Sequence, residues 1–142
     1  MKDCIFCKIV RGEIPSYTVY EDDVVKAFLD ISQGTPGHTL LIPKKHIANI
    51  FDYDEELASE VFARIPKVAR AIKNSNPAIK GMNIVNNNGQ IAYQSVFHSH
   101  FHLVPRYTSH DDFGMTFKDN SNKYTPEKLK EIQQSIIDNM GD

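Results

Sequence analysis

Three of the six histidines in this chain fall within five residues, at strict two-residue spacing: His98, His100 and His102. Imidazole titrates near neutrality and works as nucleophile, proton carrier or metal ligand, so three together raise a chemical question first. In an extended strand every second side chain shares a face. The spacing therefore predicts three imidazoles lining one groove, while Phe97, Phe101 and Leu103 point the other way into a core. A slip of one residue would bury the imidazoles and expose two phenylalanines, so the alternation fixes the register. One ion cannot collect all three, because the outer two backbones lie roughly 13 Å apart in a strand whereas zinc holds its ligands at about 2 Å. Two neighbouring rings could ligate, or one could ligate while another reacts. The bland alternative is a row of solvated strand histidines without a role.

The elements that would position this stretch read as one α+β domain over residues 1–142. The chain is 41% hydrophobic and 24% charged, enough to bury a core, and no repeat or Pro/Gly-rich linker divides it. "SYTVY" and "VVKAFLDI" are β-branched and aromatic runs around Glu21-Asp22-Asp23, a hairpin signal. "HTLLIPK" gives a third strand, entered through Gly34-Thr35-Pro36-Gly37. A long helix is capped by Asp52 or Asp54 and runs to about Asn74, before Asn76-Pro77. Leu57, Val61, Phe62, Ile65, Val68, Ala69 and Ile72 form its apolar face, and Pro66 inside it predicts a bend or a loosened turn. "GMNIVNNNG", ending in Asn88-Gly89, and "QSVFHSHFHLVP" give the fourth and fifth strands. Beyond a polar stretch from Tyr107 to Lys123, Thr125 as cap and Pro126 as first residue announce a C-terminal helix. Its Leu129, Ile132, Ile136 and Met140 are expected to form a buried stripe, so that residues 107–142 are an extension packing on the same domain. That order predicts a largely antiparallel five-stranded sheet with one long helix and a C-terminal helix.

Composition excludes several classes of partner. A formal net charge of -2, a pI near 6.3 and scattered Lys and Arg leave no footprint for a nucleic acid polymer or an anionic membrane. No apolar run approaches the roughly 20 residues that span a bilayer, and Asp3, Lys8 and Arg11 interrupt any signal-like N-terminus; a cytoplasmic protein is expected. The two cysteines stand as Cys4-x-x-Cys7, too few for a secreted disulfide framework, and read as half a metal site or as a redox pair. Gly34 and Gly37 lack the spacing and Lys-Ser/Thr pair of a phosphate-cradling loop, so side chains must bind any phosphate.

The run His98-Ser99-His100-Phe101-His102-Leu103-Val104 resembles the His-φ-His-φ-His-φ-φ signature of the histidine triad (HIT) nucleotide-binding proteins, with Ser99 a departure at a normally apolar position. "IFCKIVRGEIPSYTVYEDD", "AFLDISQGTPGHTLLIPKKHI" and "NNNG" resemble family segments in the same order. The resemblance implies hydrolysis or transfer of nucleoside monophosphates through a nucleotidyl-histidine on His100, which must attack as neutral imidazole. It implies that the backbone near His98 orients that ring, that His102, Gln94 and Ser95 sit near the phosphate with Ser95 toward the leaving group, and that Asn86 joins the polar rim. Asp30 would accept hydrogen bonds from the ribose hydroxyls, and Phe6, Ile9, Phe28 and Ile31 would hold a purine. Composition alone makes those four apolar residues core, though an apolar slot can be both, and a plain hairpin turn is the competing reading of Asn86, Asn87 and Asn88. His38 and His110 receive no role.

The resemblance also implies a structural zinc on Cys4, Cys7, His46 and His98, tying the triad to the N-terminal segment and leaving His100 free. Phosphoramidates or dinucleotides of AMP or GMP are the implied substrates, and a homodimer through the long helix and fourth strand the implied assembly. Tyr93, where the family commonly has Gly, and the tail beyond Arg106 depart from the pattern. Two other functions fit the same residues: a nucleotide-binding module with incidental hydrolysis, and a zinc hydrolase with His98 and His100 around an open metal site.

Overall fold

The computed structural model describes residues 3–141. Its strands are β1 (Thr18–Glu21), β2 (Val25–Leu29), β3 (Thr39–Pro43), β4 (Gly81–Val85) and β5 (Phe101–Arg106), and its helices α1 (Ile5–Val10), α2 (Glu55–Asn74) and α3 (Pro126–Asp138). The strands form one antiparallel sheet in the order β1-β2-β3-β5-β4, which is the α+β architecture expected. At the β1–β2 turn Asp22 accepts hydrogen bonds from the Val24 and Val25 amides at 2.8 and 2.9 Å, the local reason that an acidic tripeptide makes a hairpin. Asp54 caps α2 by accepting from Leu57 N at 2.8 Å, and the helix runs on through Pro66 as one element.

Alternation along the strands gives the sheet two unlike faces. Val25, Ala27, Leu41, Phe101 and Leu103 point to one side and pack against Val61, Ile65, Val68 and Ile72 of α2. Phe28, Leu40 and Ile42 point to the other and meet Phe6 and Ile9 of α1. That short helix has no counterpart in the strand-and-helix pattern read above. It is capped at its start by the Cys4 thiol, which accepts from Cys7 N at 3.4 Å, and the buried Lys26 ammonium donates to the Ile9 carbonyl at 3.1 Å.

Three expectations need correction. The fifth strand begins at Phe101 rather than at Gln94, because the chain from Gln94 to His100 is held by side chains and by the Ile47 carbonyl instead of a strand partner. Only His102 of the three histidines is therefore in a strand, and Phe97 is 48% exposed instead of in the core. The fourth strand stops at Val85, and Asn86 to Gly89 form a separate loop. Finally, α3 is capped by Thr125, which accepts from Lys128 N at 3.2 Å, but Leu129, Ile132, Ile136 and Met140 are all exposed. An amphipathic helical period marks one side of a helix as apolar and does not say that the rest of the chain packs against it. Among the described residues no helix is long and apolar enough to cross a membrane.

Leu103, fully buried between β5 and α2, is the anchor that holds the histidine strand to the larger core. Leu103→Ala is expected to cost about 2–5 kcal/mol through lost transfer energy and the cavity left behind, measured as a shift in urea midpoint at unchanged slope.

Candidate active site

The pairing of β3 with β5, Leu40 opposite His102, and the packing of α1 beneath them bring five histidines and two cysteines together. The Phe6 ring is the floor. Its centroid lies 5.9 Å from that of His98 and 5.1 Å from that of His100, both edge-on, and His100 lies 5.2 Å from His102. The three imidazoles thus share a side although two of them precede the strand.

Each ring is fixed by backbone. His98, fully buried, places Nε2 2.8 Å from the Pro43 carbonyl; a carbonyl only accepts, so the proton is on Nε2 and the Nδ1 lone pair is free. His100 places Nδ1 2.8 Å from the His98 carbonyl, so Nδ1 carries the proton and Nε2 is a bare lone pair. Burial pushes the His98 pKa down to about 4 and lowers that of His100, so both are neutral near pH 7.

His38, to which the sequence reading gave no role, completes the set. The Gly34 amide donates to His38 Nδ1 at 3.1 Å, and His38 Nε2 lies 2.9 Å from His102 Nδ1. The direction of the first bond decides the second: His38 carries its proton on Nε2 and donates it to His102 Nδ1, so His102 presents Nε2–H outward. Burial pushes the His102 pKa down to about 4. Asp30 lies beside the pair, its Oδ2 3.6 Å from His38 Nε2, while its Oδ1 accepts from Ser32 N and Oγ at 2.8 and 2.6 Å. Asp30, His38 and His102 are close enough to hold a cation, but the nitrogen His38 would have to offer is the protonated one. His38 and His102 are a hydrogen-bonded pair with the Asp30 carboxylate as a charge beside it. The signal that could have exposed His38 is parity: it precedes β3 on the face of Leu40, the residue opposite His102.

Cys4, Cys7, His46 and His98 form a group that could hold a metal ion, with one ligand atom from each all mutually within 4.8 Å. His98 Nδ1 is 3.4 Å from the Cys4 sulfur and 3.6 Å from that of Cys7, and His46 Nδ1 is 3.2 Å from Cys7. The residues fit a tetrahedral thiolate–imidazole site: the His98 lone pair aims between the two sulfurs while its Nε2–H is held by a carbonyl, the usual arrangement behind a ligating histidine. His100 is not part of the group.

The predicted base residues Phe6, Ile9, Phe28 and Ile31 line one cleft of about 220 Å³ together with Asp30 and Leu40. The first three are buried and Ile31 is 87% exposed at its mouth, so core and cleft wall are the same surface. Gln94 and Asn86, expected near the phosphate and on the polar rim, hydrogen-bond backbone. Gln94 is 2% exposed and spends its amide on backbone: Nε2 donates to the Ala48 and Val96 carbonyls at 2.6 and 3.0 Å, and Oε1 accepts from Gly89 N at 2.8 Å. Asn86 Nδ2 donates to the His100 carbonyl at 2.9 Å, and its Oδ1 accepts from Asn88, which itself accepts from Ile50 N. Asn86, braced by Asn88, thus clamps the histidine segment. Ser95 is exposed and lines a second concavity with Cys4 and His46. Tyr93 holds φ +71°, the left-handed region that costs a residue with a Cβ about 1–2 kcal/mol, and its ring is exposed.

Comparison with known proteins agrees with this geometry. The HIT domain profile matches residues 11–109, more than half of the chain. The chain belongs to the HIT family. The crystal structure of a HIT family member from Bacillus subtilis superposes with a TM-score of 0.95 at 51% identity, covering 99% of both chains. An adenosine 5'-monophosphoramidase of Schizosaccharomyces pombe is 37% identical over 133 residues, 94% of this chain and 95% of the relative. A Zn-bound histidine triad protein from Mycobacterium smegmatis superposes with a TM-score of 0.73 at 34% identity, covering 94% of this chain and 98% of that one.

Cobalt(II) added to the reduced protein is expected to give thiolate-to-metal absorption that saturates at one ion per chain, read by ultraviolet–visible titration. Cys7→Ser should abolish most of that band.

Proposed function

We propose that this HIT protein is a nucleotide hydrolase or transferase that cleaves nucleoside phosphoramidates or dinucleoside polyphosphates at the α-phosphate through a covalent nucleotidyl-His100. The observation that carries the reading is the His100 tautomer: Nδ1 is taken by the His98 carbonyl, which leaves Nε2 as an unprotonated nucleophile on a ring that packs against Phe6 of the apolar cleft. In the first step the Nε2 lone pair forms a bond to phosphorus, and the bond from phosphorus to the leaving nitrogen or oxygen breaks with its electron pair. The leaving group is protonated through Ser95, which takes a proton back from solvent. His102 Nε2–H hydrogen-bonds a phosphoryl oxygen. In the second step water adds to phosphorus, gives up a proton to solvent and releases the nucleoside monophosphate, and His100 Nε2 regains its lone pair.

Asp30 accepts from the ribose hydroxyls, and Phe6, Ile9, Phe28 and Ile31 hold the base, in this reading an AMP or GMP base. Gln94 and Asn86 act from behind, by holding the segments that carry Ser95 and His100. Zinc on Cys4, Cys7, His46 and His98 is structural: when bound it supplies a cross-link between the start of α1 and the triad. Support comes from the fitted donor set and the Zn-bound relative of Mycobacterium smegmatis; the Schizosaccharomyces pombe monophosphoramidase supports the chemistry. Reduced thiols suit a cytoplasmic protein. A homodimer belongs to the reading as well, since β4 is a sheet edge with Ile84 exposed and α3 has its apolar side uncovered.

His100→Ala is expected to lower kcat on adenosine 5'-monophosphoramidate by more than the 10²- to 10⁴-fold of an acid–base group, with AMP binding retained; a variant within tenfold of the parent would contradict the nucleophile assignment. Rapid quenching with a slow substrate followed by mass spectrometry should find one nucleotidyl group on the peptide containing His100. AMP binding without such an adduct or turnover would instead favour the binding module. Chelation of the metal should lower the melting temperature of the protein, whereas a zinc hydrolase would lose turnover before it lost stability.

A further inference from the structure

Ser99 interrupts the apolar alternation of the triad and is 1% exposed, yet the mechanism above does not use it. It lies on the side of the chain away from the substrate. Its Oγ is 2.8 Å from the Tyr53 hydroxyl, on the half-buried residue just before α2 that packs against the larger core. Its backbone N–H donates to the Ile47 carbonyl at 2.7 Å. The peptide that contributes this N–H is the same one whose carbonyl, that of His98, accepts from His100 Nδ1 at 2.8 Å.

A peptide is planar, and in the trans form its N–H and C=O point oppositely. Rotating the unit to lose one bond therefore swings the other. The carbonyl that decides which nitrogen of His100 is bare is thus aimed by whatever holds the N–H of Ser99 on Ile47. An apolar side chain at position 99 would leave this unit only its two backbone-group hydrogen bonds, to Ile47 and to the His100 ring. The serine adds a further anchor, one residue away from the reacting ring and on the opposite face of the chain. Tyr53 completes it, since burial raises its pKa and keeps its proton on the oxygen. Ile47 also adjoins His46 of the metal-ligand group, so the same contact ties that group to the reacting imidazole.

We propose that Ser99 and Tyr53 are positioning residues for His100: their hydroxyl pair locks the His98–Ser99 peptide, whose carbonyl holds His100 Nδ1–H and keeps Nε2 aimed at phosphorus. The proposal rests on His100 being the nucleophile. The pair touches no substrate, so its loss acts on kcat and leaves nucleotide binding alone. A small tilt of the carbonyl misdirects the lone pair, and misplacement of a reacting group by about 1 Å costs up to 10²-fold; a tilt smaller than that is expected to cost about tenfold.

The test compares Ser99→Ala, Tyr53→Phe and the double variant in the zinc-loaded protein. Each single variant is expected to lower kcat on adenosine 5'-monophosphoramidate about tenfold with KM within twofold, and the double variant to be no worse than either single one. The hydrogen-bonded His100 Nδ1–H, followed by proton NMR with imidazole nitrogen-15 labelling, should shift or broaden by exchange in all three. Wild-type kcat together with an unchanged Nδ1–H signal in Tyr53→Phe would overturn the proposal and reduce the pair to core filling. An additive loss in the double variant would overturn it too. If Ser99→Ala fails to fold, Tyr53→Phe decides alone, because it removes a single oxygen at a half-exposed edge. Should His100→Ala retain turnover, the nucleophile assignment fails by itself, and the Nδ1–H signal still reports on whether the pair holds the ring.

Discussion

A neutral imidazole has one proton and one lone pair, and the chemistry of this protein depends on which nitrogen has which. Three backbone groups decide it. The Pro43 carbonyl takes the proton of His98, the His98 carbonyl takes that of His100, and the Gly34 amide, by donating to His38, turns His102 round through the His38 ring. Because backbone positions are set by the sheet and its flanking loops, the protonation pattern is a property of the fold. Burial then keeps all of these rings neutral, so that none is lost to a proton near pH 7.

The same reasoning separates the two clusters that resemble metal sites. At the cysteines a histidine lone pair faces two sulfurs and its far nitrogen is bonded to a carbonyl, which is what a cation requires. At Asp30 the far nitrogen of His38 accepts from an amide, which forces a proton onto the nitrogen that a cation would need. Distance alone does not distinguish them; direction of donation does.

Much of this was legible in the chain, and the failures have physical causes. Alternation across 98 to 103 gave the common side of the imidazoles correctly, since Phe101 and Leu103 join the larger core as that parity demands. It overextended the strand, because alternation persists in any extended segment and says nothing about whether a neighbouring strand accepts its hydrogen bonds. That Gln94 and Asn86 bind loop backbone is not legible in the chain, since a polar side chain near a site gives no local sign of which distant carbonyl it meets. His38 receives no role in the sequence because its parity has meaning only across the β3–β5 pairing, which sets it beside a residue 64 positions away. The helix at residues 126–138 was found, with its cap, from local signals; what its apolar side meets is not a local matter.

The sheet keeps its largest packing on the side of α2 and its clustered imidazoles on the side of α1. Cohesion and chemistry are thus carried by alternate residues of the same strands. A lineage with this plan can exchange cleft residues such as Ile31, and with them the molecules it accepts, while the opposite layer preserves the fold. Change is then cheap on one side of the sheet and costly on the other.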